Sequence, residues 1–484
     1  MAITAMKVRS AQPGLGIFAL FFAFSTFVNP VPAAEFEPAV TLGITHTDNI
    51  FLQPSDGQDE TVFRIEPGFS LAHESDRLDV DADYLLQAFY YEKLEEDEVF
   101  HQYNASLRAA AVPDVLFFSL GGSRTQSIVD PGLVIPQSNL PITGNRIDRD
   151  TYFVGSEFLY PVSRTIALQG SYRYDWVQFG DPAGSNSPMP FALDSDDQSA
   201  SVSIDNYRNG NGLTWAARYS WQRSEYDETF PPFEYQIASA ELGFWVSGTT
   251  RVFASGGKES AWDDPLNPTL EDTLWEVGLA YEAGERLSFE FAAGERSFGE
   301  SFRGNLQFNF RRGSTSLSYL QSPTTDNRNP FLFGGLASPD EVGNLLSVPG
   351  SARRFIQERF NWTLNVDLQR TDITVSLFDE RRTDLTTADG VSLLDQSQRG
   401  LSASVRYRLG AKTTARIGGS LAEREFGGSG PNDLLRGTIG VDYQLGSRTD
   451  LSLRYDYADE DGDTGGFALN YTANTVSLLL TRRL

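Results

Sequence analysis

Along the stretch RLDVDADYLLQAFYY (77–91), Leu78, Val80, Ala82, Tyr84, Leu86, Ala88 and Tyr90 alternate with Asp79, Asp81, Asp83, Leu85, Gln87, Phe89 and Tyr91. Side chains of a β-strand point to opposite faces with period two, so this pattern predicts a strand with different media on its two sides. The alternation recurs from residue 36 onward. In TIALQGSYRYDW (165–176), Ile166, Leu168, Gly170, Tyr172, Tyr174 and Trp176 form an apolar, aromatic row against Ala167, Gln169, Ser171, Arg173 and Asp175. The segments 213–222, 272–281, 361–370, 401–409, 435–445 and 450–459 repeat it, and about 22 such segments can be counted. Each approaches the roughly 9–11 residues with which a tilted strand crosses a bilayer.

The connections have a rhythm of their own. HESD (73–76), VPD (112–114), PVSR (161–164), NGNG (209–212), SGTT (247–250), AGER (283–286), GAKT (410–413) and GSRT (446–449) are short. Between them fall polar stretches rich in Pro, Gly and Asp: 127–148, 179–197, 260–271, 322–355 and 382–396. Short turns on one side and long loops on the other predict an all-β, transmembrane, antiparallel up-and-down β-barrel of 18–22 strands, with tight periplasmic turns, periplasmic termini and an even strand number. A soluble sandwich, propeller or β-helix also alternates, but its turn lengths need not alternate so regularly. Aromatic residues near strand ends, including Tyr90, Tyr160, Trp176, Trp221, Tyr281, Tyr407, Tyr443 and Tyr457, suit the interfacial girdles of a membrane barrel. The last strand places Val476, Leu478, Leu480 and Leu484 in one row, which Arg482 interrupts.

The N-terminus reads as an export signal. Lys7 and Arg9 precede an apolar run from Leu15 to Val28, and NPVPAA ends in small residues that suit cleavage after Ala33 or Ala34. The expected division is a signal peptide over 1–34 and an outer-membrane β-barrel over 35–484. The first strand is expected near Phe36, which leaves no room for an N-terminal plug, although 22-stranded transporters hold one. Either the strand count is high by two to four, or a long loop such as 322–355, with its apolar FLFGGL, folds inward, or a partner fills the lumen. Leu85 and Phe89 are apolar on the row that carries the aspartates, so the outer half of that strand is expected to meet an inward-folded loop, with open lumen beginning only at the aspartates.

Composition narrows the chemistry. The chain of 484 residues carries a formal charge of −26, no cysteine and three histidines. Disulfides and thiolate metal sites are thereby excluded, and the acidity argues against nucleic acid, which needs clustered Lys and Arg. Asp79, Asp81 and Asp83 open like a calcium loop, but Tyr84 and Tyr90 stand where that loop needs glycine and a bidentate acid. His46, His73 and His101 lack partner motifs and G-x-S-x-G is absent, so neither enzyme activity nor a cofactor is expected. The polar row supplies candidate lumen-lining residues: Asp79, Asp81, Asp83, Arg173, Asp175, Arg218, Asn305, Gln307, Asn309, Arg406, Arg454 and Asp456.

The opening of the barrel segment resembles a known family. Thr47 to Leu52 (TDNIFL), an acidic loop, Ile65 to Gly68 (IEPG) and a strand reaching Tyr84 resemble the start of type 2 β-barrel porins, in particular the outer-membrane proteins associated with PEP-CTERM systems. The resemblance implies a non-enzymatic conduit of the bacterial outer membrane linked to exopolysaccharide export or assembly. Its implied surroundings are membrane lipid and lipopolysaccharide, with polysaccharide and periplasmic export proteins as partners. A general diffusion porin and a docking barrel for envelope machinery are the alternatives.

Overall fold

A computed structural model describes residues 34–128, 134–136, 138–180, 193–206, 212–226, 232–262, 272–325, 354–384, 395–426, 430–464, 467–468 and 470–484. The expected signal peptide, and the stretch 326–353 within the loop expected to fold inward, lie outside these residues. In chain order the strands are β1 (Glu35–Thr47), β2 (Glu60–His73), β3 (Leu78–Tyr91), β4 (Glu96–Val112), β5 (Leu116–Ile128), β6 (Arg146–Pro161), β7 (Ala167–Phe179) and β8 (Ser195–Asp205). They continue as β9 (Leu213–Tyr226), β10 (Phe233–Trp245), β11 (Thr250–Trp262), β12 (Asp272–Ala283), β13 (Leu287–Arg296), β14 (Gly299–Phe310), β15 (Gly313–Thr325) and β16 (Arg354–Asp367). The remainder are β17 (Thr371–Asp384), β18 (Gln396–Arg408), β19 (Thr413–Phe426), β20 (Asn432–Gly446), β21 (Thr449–Thr464), the two-residue β22 (Phe467–Ala468) and β23 (Tyr471–Arg483).

All belong to one 23-stranded antiparallel sheet, and setting aside β22 leaves 22 long strands. The sheet closes because β1 pairs with β23 from Ala39 opposite Arg483 to Thr47 opposite Thr475. Closure leaves no free sheet edge, which is the condition for a β-structure to cross a membrane. Among the described residues no helix is long and apolar enough to span a bilayer, so the strands do the crossing. A strand of 13 residues such as β5 is about 43 Å long; tilted by about 40°, it covers roughly 30–35 Å along the barrel axis. That exceeds the apolar band of about 25 Å, so the strand ends project past the lipid.

One face of the wall is oily by composition. Leu42, Ile44, Phe63, Ile65, Leu242, Phe244, Val277, Ile417, Ile439, Leu453, Val476 and Leu478 are all exposed large hydrophobics on the outward row. The short turns predicted from the sequence all lie at one end of the barrel and the long connections at the other. At the long-loop end two connections are tight, residues 92–95 between β3 and β4 and residues 297–298 between β13 and β14.

These two hairpins share a further property. β4 pairs with β5 only from Tyr103 opposite Arg124 downward, although both strands continue beyond. β14 likewise pairs with β15 only from Gly304 opposite Tyr319 downward. At each gap a glutamine stands in for the missing ladder. The Gln126 amide donates to the His101 carbonyl (3.4 Å), and the Phe302 N–H donates to Gln321 Oε1 (2.9 Å). Above the first gap the row of β5–β6 that faces lipid lower down packs on the lumen face of β4. Gln126 accepts from Gln102 (2.8 Å), while the Arg146 guanidinium lies 3.7 Å from Glu98 and 4.8 Å from the Phe100 ring centre. The outer end of the β5–β6 hairpin has therefore moved inside the wall.

Candidate functional site

The inward movement carries residues 134–136 and 138–145, between β5 and β6, across the barrel mouth, where they meet the first outer loop, residues 48–59. Ile50, Val62, Phe89, Tyr91 and Leu140 form a buried cluster, with Phe51, Leu94, Phe100 and Ile142 packed around it. The apolar outer half of β3 thus finds its partner. Its Tyr91 hydroxyl donates to the Leu140 carbonyl (2.9 Å), and the Ile142 N–H donates to the Ile50 carbonyl (3.0 Å), tying the two inward segments together. A polar chain reinforces the contact: Asn139 Nδ2 donates to Gln87 (2.9 Å) and Gln126 (3.0 Å), Gln87 Nε2 to Glu66 (3.2 Å), and Glu66 pairs with Arg64 (3.3 Å).

A second cluster anchors the other side. Leu52, Ala458, Tyr471 and Ala473 are buried together with Val134 beside them, and the Tyr471 hydroxyl donates to the Ile135 carbonyl (3.4 Å). Leu52 reaches this position with φ of 51°, in the left-handed region that costs a non-glycine residue about 1–2 kcal/mol. Outside the mouth, Lys93 holds Asp59 at 2.5 Å, and this ammonium keeps the Asp59 carboxyl below its ordinary pKa. The sequence pattern called for an inward loop at Phe89; the described structure supplies residues 48–59, 134–136 and 138–145.

Below the mouth the inner wall is charged and extensively paired. Arg218 donates to Glu241 (3.0 Å), Glu241 pairs with Arg251 (2.6 Å), Arg251 approaches Glu290 (3.8 Å), Glu290 pairs with Arg303, and Arg303 pairs with Glu276 (3.2 Å). One ion-pair chain thus crosses β9 to β14. Phe253 lies against this chain, 4.8 Å from the Arg251 guanidinium, over Gly278, where any larger residue would collide with its ring.

The sequence-predicted residues occupy several levels of this wall. Asp79 and Asp81 are exposed at the short-turn end of β3, and Asp83 accepts from the Ser70 hydroxyl (2.6 Å). Asp79 stands opposite Arg108, whose guanidinium pairs with Glu157 (3.2 Å). Arg173 pairs with Asp175 (2.7 Å) and lies 3.8 Å from the Phe153 ring centre, while Arg454 pairs with Asp456 (2.9 Å). Asn305 and Gln307 are exposed next to Arg303 on β14, Arg406 stands opposite Asp372, and Asn309 Nδ2 donates to the Glu285 carbonyl (2.7 Å) at a periplasmic-type turn. The structure therefore spreads these residues around the wall instead of gathering them into one site.

Sequence reasoning missed a polar group under the inward segments. Gln398, Arg424 and Asn432 are register partners on three consecutive strands, and Glu460 faces Tyr471 across β21 and β23. Arg424 and Asn432 Nδ2 (2.7 Å) both donate to Glu460 Oε1. Gln396, Gln398, Asn432 and Glu460 are all more than nine-tenths buried. Yet Gln396 Oε1, Gln398 Oε1, Asn432 Oδ1 and Glu460 Oε2 accept no hydrogen bond, and Arg436 Nε and Nη2 donate none. Each buried, unsatisfied polar group costs about 1–3 kcal/mol. Only QSQ (396–398) on the inner row hinted at this group.

A closed barrel of this strand number, oily outside and charged within, is the fold of bacterial outer-membrane proteins. No family profile and no curated protein matches the sequence. Among solved structures, the chain is similar to the ferric enterobactin receptor of Pseudomonas aeruginosa, at 11% identity over 93% of this chain and 81% of that one, with a TM-score of 0.50. It is similar to the FrpB iron transporter of Neisseria meningitidis, at 10% identity over 93% and 81% of the two chains, with a TM-score of 0.51. At such identity the likeness concerns the fold alone.

Proposed function

We propose that the protein is a non-enzymatic conduit of the outer membrane, with exopolysaccharide in export or assembly as its cargo. The observation that carries this reading is the lumen: a charged, paired inner wall beneath a mouth that the chain's own residues 48–59, 134–136 and 138–145 partly occupy. Barrels of this strand number enclose more space than their wall side chains fill. A self-folded constriction suits regulated passage of a large polar solute better than free diffusion. Paired charges and exposed amides such as Asn305 and Gln307 offer hydrogen bonds to hydrated sugars without a single fixed site. The resemblance of TDNIFL and IEPG to barrels associated with PEP-CTERM systems supports polysaccharide as that solute.

Planar-bilayer recording of the purified barrel, combined with measurement of extracellular polysaccharide after deletion, tests the reading. Gated or oligosaccharide-sensitive conductance together with lost polysaccharide is expected. Large, permanently open steps with unchanged polysaccharide would indicate a diffusion porin. A silent barrel whose deletion leaves polysaccharide intact would remove the conduit reading.

A further inference from the structure

We propose that the polar group formed by Gln396, Gln398, Asn432, Arg436 and Glu460 is a saccharide-binding subsite in the outer third of the lumen, bordered at its Glu460 end by Leu52 and Val134–Ile135, which pack on Tyr471. The inference rests on the conduit reading for its biological meaning, but its grounds are separate. Four buried side-chain oxygens there, Gln396 Oε1, Gln398 Oε1, Asn432 Oδ1 and Glu460 Oε2, have no donor, and the Nε and Nη2 of Arg436 have no acceptor. A native wall leaves few buried polar atoms unpaired, so this concentration within one set of adjacent strands requires a partner.

The unmet valences define the partner's chemistry. Carboxamide and carboxylate oxygens ask for hydrogen-bond donors, while the Nε and Nη2 edge of a guanidinium is a fork that takes two acceptor oxygens. A ligand must therefore both donate and accept along these strands, as the spaced hydroxyls of an oligosaccharide do. An inorganic anion would satisfy Arg436 and be repelled by the four oxygens, and a simple cation would do the reverse. Gln398 and Asn432 lie on β18 and β20, with Arg424 between them on β19. Two strand spacings separate them by about 10 Å, the reach of a disaccharide.

The subsite is covered at its Glu460 end. Tyr471 faces Glu460 across the ladder, and Leu52 and Val134 pack on Tyr471 while its hydroxyl donates to the Ile135 carbonyl (3.4 Å). Withdrawal of these residues would free the Glu460 end of the group, so binding there and opening of the mouth are coupled. A ligand that takes the uncovered state favours it by its differential affinity.

Isothermal titration of the full-length barrel in detergent with a neutral gluco-hexasaccharide and with a hexagalacturonate tests the assignment. Binding of at least one probe is expected, weakened at least tenfold in Gln398→Leu and in Asn432→Leu. Leucine at Gln398 removes an unsatisfied acceptor and is expected to keep the heat-modifiable gel shift of the folded barrel, whereas Asn432→Leu also removes the amide donor to Glu460, so its gel shift is checked before binding is compared. Arg436→Lys, which keeps the charge and loses the fork, provides a second, milder test with the same expected direction. No binding of either probe, or equal binding by wild type and all three variants, overturns the subsite and indicates that water alone meets these atoms. A barrel that conducts but binds neither sugar loses this inference alone. One that binds sugar but neither conducts nor affects polysaccharide loses the conduit reading alone.

Discussion

At the scale of the residue, the inner wall depends on charges that cannot be removed singly. Glu259 is fully buried and receives Arg296 (2.8 Å), the Ser297 N–H (2.5 Å) and the Tyr235 hydroxyl, while Arg296 also donates to Tyr235 (2.5 Å) and to the Gln321 carbonyl (3.2 Å). Truncating one member of such a pair leaves the other charge buried without compensation. Glu259→Ala is therefore expected to destabilise the barrel by about 3–5 kcal/mol, against less for Glu259→Gln, which keeps an acceptor oxygen. Urea midpoints of both variants folded in the same detergent measure the difference. Equal midpoints for Glu259→Ala and wild type would show that water reaches Arg296. By contrast, the exposed pair of Arg399 with Glu423 (2.7 Å) is worth little, as surface ion pairs generally are.

At the scale of the element, residues 48–59 behave as one unit with 134–136 and 138–145, because Ile142 and Ile50 share a backbone hydrogen bond and both clusters draw on both segments. Leu140→Asp places an unpaired carboxylate between Ile50, Phe89 and Tyr91, and the segment is expected to leave the lumen. Single-channel conductance should then rise severalfold, while the strand content by circular dichroism stays unchanged; an unaltered conductance would mean that these segments do not constrict the pathway. How much of this was readable in advance follows from particular residues. The alternation of Leu78 to Tyr90 reports a strand because lipid imposes it, and the repeated phrases around Arg173–Asp175 and Arg454–Asp456 put both charges of each phrase on one row, but not that each pair closes within its own strand. Leu85 and Phe89 announced that something covers the outer half of β3 but not what, since the residues that cover Phe89 come from distant loops. The group around Gln398 and Asn432 was silent for a similar reason: its members are neighbours only through the pairing of four strands.

At the scale of the whole molecule, strand number followed from counting the alternating segments and closure from the turn rhythm, whereas the two gaps in the ladder followed from neither. Nothing in the sequence of β4 or β14 marks where pairing stops; beside β4 the decision belongs to the β5–β6 hairpin, whose outer end moves inward. The gaps have a measurable signature. Backbone amides of 96–102 that face β5, and of 299–303 that face β15, are expected to exchange hydrogen much faster than amides of the continuously paired β6 and β16 at the same height, with Phe302 protected by Gln321. Uniform protection around the rim in hydrogen-exchange mass spectrometry would show that the ladder is continuous.

The gaps lie ten strands apart, between β4 and β5 and between β14 and β15, close to opposite sides of the ring. A fully laced hoop has a fixed circumference, since widening it means tearing a row of backbone bonds. A hoop with two joints, each held by side chains in place of a backbone ladder, can splay its rim like the jaws of a clasp while the lower girth stays laced. Such a rim widens without the membrane-embedded belt changing its bore.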